Sequence, residues 1–214
     1  PKKSLGQNFL KDLNIIKKIV NLKDIYNKNV VEIGPGKGAL TDLILQKKPK
    51  LLTLIEKDNN LFKFLKFKYQ HLKNIEIINA DVLEFDFDNN LKNGTIIFGN
   101  LPYNISSQIL TSIIRLKKFP PNYSNLIFMF QKEMGERIIG KFNTSKYGRL
   151  SILTNFKLRV VDKFYVSPNC FIPKPKVDST VIHFKPCKKL PFKIKNVKNL
   201  EKVTQILFSN KRKM

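Results

Sequence analysis

Short apolar runs alternate with stretches of helical periodicity up to about residue 131, and this alternation narrows the possible folds more than any other feature. Residues 30–33, 51–55, 75–78, 95–98 and 126–130 read as buried strands. Between them apolar side chains recur at helical spacing, as at Leu61, Phe62, Leu65, Tyr69 and Leu72, or at Ile105, Ile109, Leu110, Ile113 and Ile114. An earlier helix fits Leu13, Ile16, Ile19 and Val20, with Asp12 placed to cap it. Alternation of this kind predicts an α/β chain with a mostly parallel sheet covered on both faces. After a polar patch at 140–146 the pattern changes. Residues 157–166 and 177–185 read as two strands joined by a Pro-rich loop, 167–176, which predicts a terminal antiparallel pair. From about residue 188 the chain is rich in lysine, with one helical pattern at Leu200, Val203, Ile206 and Leu207.

Charge narrows the class of partner. Lys and Arg number 40 against 16 Asp and Glu, a net charge of +24 over 214 residues. A field of that sign favours a polyanion, and nucleic acid is the first candidate. No apolar run approaches the roughly 20 residues of a membrane span, and Pro1-Lys2-Lys3-Ser4 leads into no signal-peptide core. Cys170 and Cys187 have no metal-ligand spacing, and His71 and His183 stand alone. The expectation is a monomeric, metal-free protein of the cytoplasm, or of an organelle, with no membrane segment.

The candidate chemistry sits at successive strand ends, where open α/β sheets bind their ligands. The first strand runs into Glu32-Ile33-Gly34-Pro35-Gly36-Lys37-Gly38. Its glycines let the backbone turn sharply and a ligand approach closely, although the spacing fits neither a dinucleotide loop nor a P-loop. The second strand ends at Glu56, which suits a carboxylate gripping ribose hydroxyls. The third ends in Asn79-Ala80-Asp81, where an acid can accept from the exocyclic amine of an adenine. Together these describe an adenosyl ligand. The fourth strand opens into Asn100-Leu101-Pro102-Tyr103. That turn offers an amide oxygen, a backbone carbonyl held by a stiff proline, and an aromatic face for stacking. With this turn added, the ligand becomes S-adenosylmethionine and the methyl acceptor an amino group on a base. Phe171 is the candidate for the opposite face of that base.

The combination resembles the KsgA/RsmA family of ribosomal RNA adenine dimethyltransferases, which also includes the Erm enzymes. Ser4-Leu5-Gly6-Gln7-Asn8-Phe9-Leu10 is similar to the family's N-terminal segment, and residues 32–38, Glu56, Asp81 and 99–103 match its cofactor and catalytic motifs in order. Later matches are Gln131-Lys132-Glu133, Tyr147-Gly148-Arg149-Leu150-Ser151 and residues 171–179. The resemblance implies a Rossmann-like methyltransferase fold with a seven-stranded sheet, followed by a small helical C-terminal domain. Residues 1–187 would form the S-adenosylmethionine-binding domain, and 188–214 the beginning of a truncated helical one. By the same resemblance Asn8 and Leu10 line the cofactor site, with Gly34 beneath the methionine end and Gly36 among the cofactor-binding residues. Glu56 holds the ribose, Asp81 the adenine ring, and Asn100 bridges cofactor and target.

The implied reaction is dimethylation of two adjacent adenines near the 3′ end of small-subunit ribosomal RNA, within the small ribosomal subunit or its precursor. An Erm-like enzyme acting on large-subunit RNA is the nearest alternative; Leu101 and Pro35 favour the first. A DNA adenine methyltransferase would more usually carry Pro-Pro-Tyr in the turn. A relative serving as an RNA-binding assembly or transcription factor forms a different class, against which the intact Glu56, Asp81 and Asn100 argue.

Overall fold

The computed structural model of the protein describes residues 8–194 and 196–209. Seven strands form one sheet: β2 (Asn29–Ile33), β3 (Leu51–Glu56), β4 (Ile75–Asn79), β5 (Thr95–Asn100), β6 (Tyr123–Gln131), β7 (Leu158–Val166) and β9 (Ser179–Pro186). Their spatial order is β4-β3-β2-β5-β6-β9-β7. The first five of these pair in parallel, while β9 lies antiparallel between β6 and β7. The mostly parallel sheet with an antiparallel pair at its end is the architecture expected above. The chain order reverses at β2, so the C-terminal ends of β2 and β5 flank a crevice of the kind that receives ligands in open α/β sheets.

Each face of the sheet carries its own apolar layer. On one side α1 (Leu13–Val20), α2 (Ala39–Gln46) and α3 (Asn59–Lys68) cover Val30, Leu52, Leu54, Ile96 and Phe98. On the other, α5 (Ser106–Ile114) and α6 (Lys132–Ile138) cover Val31, Ile33, Ile97 and Phe128. Alternate residues of one strand thus enter opposite layers, as a sheet buried on both faces requires. Helix entry is set locally. The Asp12 carboxylate accepts from the amides of Asn14 and Ile15, and Asp58 does the same for Asn60 and Leu61 at the start of α3. Each such cap contributes about 1 kcal/mol.

Three features depart from the sequence reading. Residue 157 is the last of α7 (Arg149–Lys157) and not the first of a strand; the strand begins one residue later. The following strand begins at Ser179 and not at 177, because its partner β6 ends opposite it at Gln131, where the chain enters α6. A two-stranded ribbon also forms, in which β1 (Phe9–Leu10) pairs antiparallel with β8 (Phe171–Ile172). Beyond β9, α8 (Val197–Ser209) is fastened to α5 by a two-pronged ion pair: Arg115 donates through Nε and Nη2 to the Glu201 carboxylate, both at 2.8 Å. Ser4–Gln7 of the N-terminal motif and residues 210–214 of the expected helical segment lie outside the described residues.

Candidate functional site

The C-terminal ends of β2, β3, β4 and β5 converge on a cavity of about 500 Å³, closed on one side by the β1–β8 ribbon. Of the predicted site residues, Asn8, Leu10, Gly34, Gly36, Glu56, Asp81, Asn100, Leu101, Pro102 and Tyr103 all line it. Phe171, expected at the opposite face of the base, does not. In β8 it pairs with Leu10, is 2% exposed and joins the apolar layer that contains Val166 and Val181. Successive strand residues face opposite ways, so it is Ile172, 55% exposed, that reaches the cavity wall.

The loop after β2 is shaped to take a ligand against its backbone. Gly34 has φ +65°, and a Cβ there would stand 3.9 Å from the Asn100 carbonyl oxygen. Gly36 has φ +59°, and a Cβ would meet the Phe9 ring at 2.8 Å. Both the left-handed backbone and the overlying ring therefore require glycine at 36. The Gly36 amide donates to Glu56 Oε2 at 3.2 Å and the Asp58 amide to Oε1 at 2.9 Å. The carboxyl at the end of β3 is thereby fixed toward the loop. Burial pushes the Glu56 carboxyl up from its ordinary value, and the amide hydrogen bonds oppose that shift.

Asp81 is held differently. Its Oδ1 accepts from the Leu83 amide at 2.9 Å and its Oδ2 from Lys57. The hydrogen bond from Lys57 lowers the Asp81 carboxyl, so it is charged at neutral pH. Across the cavity, Asn100 Nδ2 donates to the Asn8 carbonyl at 3.0 Å. This commits the amide nitrogen and leaves Oδ1 as the group's acceptor. The turn beyond is anchored at three points. The Leu101 side chain is 1% exposed, the Ile105 amide donates to the Pro102 carbonyl at 3.1 Å, and the Tyr103 hydroxyl lies 2.6 Å from Ser179 Oγ.

Several lining residues were not anticipated by role. Phe9 lies over Gly36, and Lys57 joins Asp81 at the cavity edge. Glu32 lies beneath the loop at 2% exposure and accepts from the Thr41 hydroxyl at 2.7 Å. Burial, with the nearby Asp42 and Glu56 carboxylates, pushes Glu32 up to about 8. Phe9 lies inside the N-terminal motif and Glu32 opens the glycine segment, so position alone marked both. Among the described residues no group of His, Cys, Asp and Glu could hold a metal ion.

The fit to an adenosyl ligand rests on three features. They are a glycine cradle that side chains would fill, an acid fixed toward it, and a second acid one strand further out. Known proteins agree with that geometry. A family model described as "Ribosomal RNA adenine dimethylase" matches residues 1–214. A relative from Pelagibacter ubique, "Ribosomal RNA small subunit methyltransferase A", is 49% identical over 213 residues, which is 100% of this chain and 80% of the relative. The crystal structure of a dimethyladenosine transferase from Plasmodium falciparum is similar with a TM-score of 0.81 at 28% identity, covering 95% of this chain and 71% of that one. The 23S rRNA methyltransferase ErmE is similar with a TM-score of 0.75 at 26% identity, covering 94% and 79%.

Proposed function

The chain belongs to the ribosomal RNA adenine dimethylase family, and on that premise we propose that it transfers methyl groups to the N6 amines of two adjacent adenines near the 3′ end of small-subunit ribosomal RNA. The observation that carries the reading is the placement of Asn100-Leu101-Pro102-Tyr103 beside the glycine loop in one cavity. Relatives named for the small subunit support that substrate over the large-subunit alternative.

S-adenosylmethionine, when bound, supplies a methyl group already activated by a sulfonium. The residues to hold it are Gly34 and Gly36 against the methionine portion, Glu56 at the ribose hydroxyls and Asp81 at the adenine amine, with Asn8 and Leu10 closing over them. Lys57 has to share or release Asp81 Oδ2 for that contact. Glu56 keeps its orientation through the Gly36 and Asp58 amides.

The target amine is a weak nucleophile, since its lone pair is delocalised into the ring. In the first transfer Asn100 Oδ1 and the Leu101 carbonyl accept its two N–H groups and favour the tetrahedral nitrogen; in the second, one N–H remains to be held, and each transfer releases one proton from the nitrogen to solvent. The nitrogen lone pair is thereby turned toward the glycine loop. This is positioning with electrostatic stabilisation, worth up to ~7–11 kcal/mol when orientation is ideal. The adenine must leave its stack to enter. Tyr103 offers one face for it, contributing about 1–3 kcal/mol, and Ile172 forms an apolar lip opposite.

Ribosomal RNA is also suited to the surface. Of the five arginines in the chain, Arg115, Arg137 and Arg149 line a second, open groove between α5, α6, α7 and α8, together with Lys146. Arginine binds phosphate in a fixed fork geometry, so Arg137 and Arg149 suit an RNA backbone, while the Arg115 fork is committed to Glu201 and Lys146 is paired with Glu136. We read residues 1–187 as the methyltransferase domain and 188–214 as the opening of a helical one, since irregular chain from 187 to 194 separates β9 from α8. A monomer acting where ribosomes assemble, in the cytoplasm or an organelle, completes the proposal; among the described residues no helix is long and apolar enough to cross a membrane. Labelled methyl transfer to undermethylated small subunits, with large subunits as the comparison, tests it. Label on large subunits alone would overturn the substrate assignment.

A further inference from the structure

The tyrosine of the target pocket is held at both ends of its side chain. Its backbone is fixed by the turn, where the Ile105 amide bonds to Pro102 and the Ser106 hydroxyl donates to the Tyr103 carbonyl at 3.3 Å. Its phenol oxygen is 2.6 Å from Ser179 Oγ, 76 residues away in sequence. Ser179 is fully buried, and it opens the strand flanked by both β6 and β7: its register partners are Gln131 and Val166. The anchor is thus part of the sheet and not of a loop.

A ring tied at Cβ and at its hydroxyl cannot swing about χ1 or tilt without breaking a hydrogen bond inside the protein. Phenylalanine would fill the same space and stack equally well, with no buried hydroxyl to satisfy. A buried polar pair is costly unless both members are bonded, so what the pair adds is orientation. Burial also holds the Tyr103 phenol above its ordinary value.

We infer that Ser179 is a positioning residue for methyl transfer: through the Tyr103 hydroxyl it fixes the plane on which the target adenine lies, and so the direction of the amine at Asn100. This rests on the function proposed above. It acts on the aligned complex and therefore on kcat, and leaves cofactor binding untouched because Glu56 and Asp81 lie on the far side of Asn100 in the sheet order.

The test is a double-mutant cycle of Ser179→Ala and Tyr103→Phe, assayed by labelled methyl transfer to undermethylated small subunits and by calorimetry with S-adenosylhomocysteine. Each single variant should lose on the order of tenfold in kcat, as for one oriented hydrogen bond, with S-adenosylhomocysteine affinity unchanged. The double variant should be no slower than the singles, since both remove the same bond. If Ser179→Ala fails to fold, Tyr103→Phe alone carries the test, with the same loss expected. Wild-type kcat in either variant, or losses that multiply in the double, would overturn the inference. A wild-type chain that methylates no small subunits would overturn the parent reading, and this one with it.

Discussion

Replacing Glu32 by glutamine should make the protein more stable, and by an amount that grows with pH. Glu32 lies under the glycine loop at 2% exposure with the Thr41 hydroxyl as its hydrogen-bond partner, and burial raises its carboxyl from 4.5 to about 8. Between those values the native protein holds a proton that the unfolded chain has released. Stability then falls as pH rises, by about 1.4 kcal/mol per pH unit. The contribution is fully present below pH 4.5, is lost progressively toward pH 8 and is flat above it. Glutamine has the same shape, keeps an acceptor for Thr41 and does not titrate. Urea unfolding of both proteins without cofactor, at intervals from pH 5 to 8, isolates the one carboxyl because every other titrating group is shared. The variant should match wild type near the acid end and exceed it by roughly 4–5 kcal/mol at pH 8. Parallel stability curves would show that Glu32 ionises as an exposed glutamate does, and that the loop above it is wetter than the structure shows.

Other perturbations read the site more directly. Asn100→Ala should leave folding intact while cutting kcat at saturating cofactor by roughly 100-fold or more, the loss typical of one transition-state donor or acceptor; unchanged turnover at saturating cofactor would mean that another group positions the amine. Gly36→Ala forces a side chain into φ +59° and against the Phe9 ring, so calorimetry should show cofactor affinity weakened by at least about tenfold; wild-type affinity would place the cofactor elsewhere. RNA binding should weaken with salt at a log–log slope of about −0.7Z for Z phosphates on single strands. Arg137→Ala should shallow that slope by close to one contact; no change would remove the arginine-lined groove from the interface.

The strand ends were legible because their chemistry is local. Glycines that permit positive φ, acids that close a strand and an Asn-Pro-containing turn announce themselves in the residues alone, and the parallel order of β2 to β6 follows from helical stretches between apolar runs. What stayed hidden depends on distant partners. The β1–β8 ribbon has two residues per strand, too few for any period, and Leu10 and Phe171 meet across 161 positions of chain. Two strand residues are enough to turn Phe171 inward and Ile172 outward, and nothing in a Pro-rich segment signals them. The helix α7 shows no clean apolar stripe, since Ser151, Leu153, Thr154, Phe156 and Lys157 are all buried around it. In α6, Gly135 weakens the helical signal, yet a Cβ there would strike Thr180. Glu32 and Ser179 look ordinary in the sequence, and only Thr41 and Tyr103 beside them show what they do.

The central claim is that one cavity brings the glycine loop and the Asn100 turn together for small-subunit RNA. It is tested most directly by incubating the protein with undermethylated small subunits and S-adenosylmethionine, then mapping modified nucleotides by mass spectrometry. The account predicts N6,N6-dimethylation of two adjacent adenines near the 3′ end of the small-subunit RNA, abolished in Asn100→Ala. Methylation at another atom or another RNA, or none with the cofactor demonstrably bound, would contradict it.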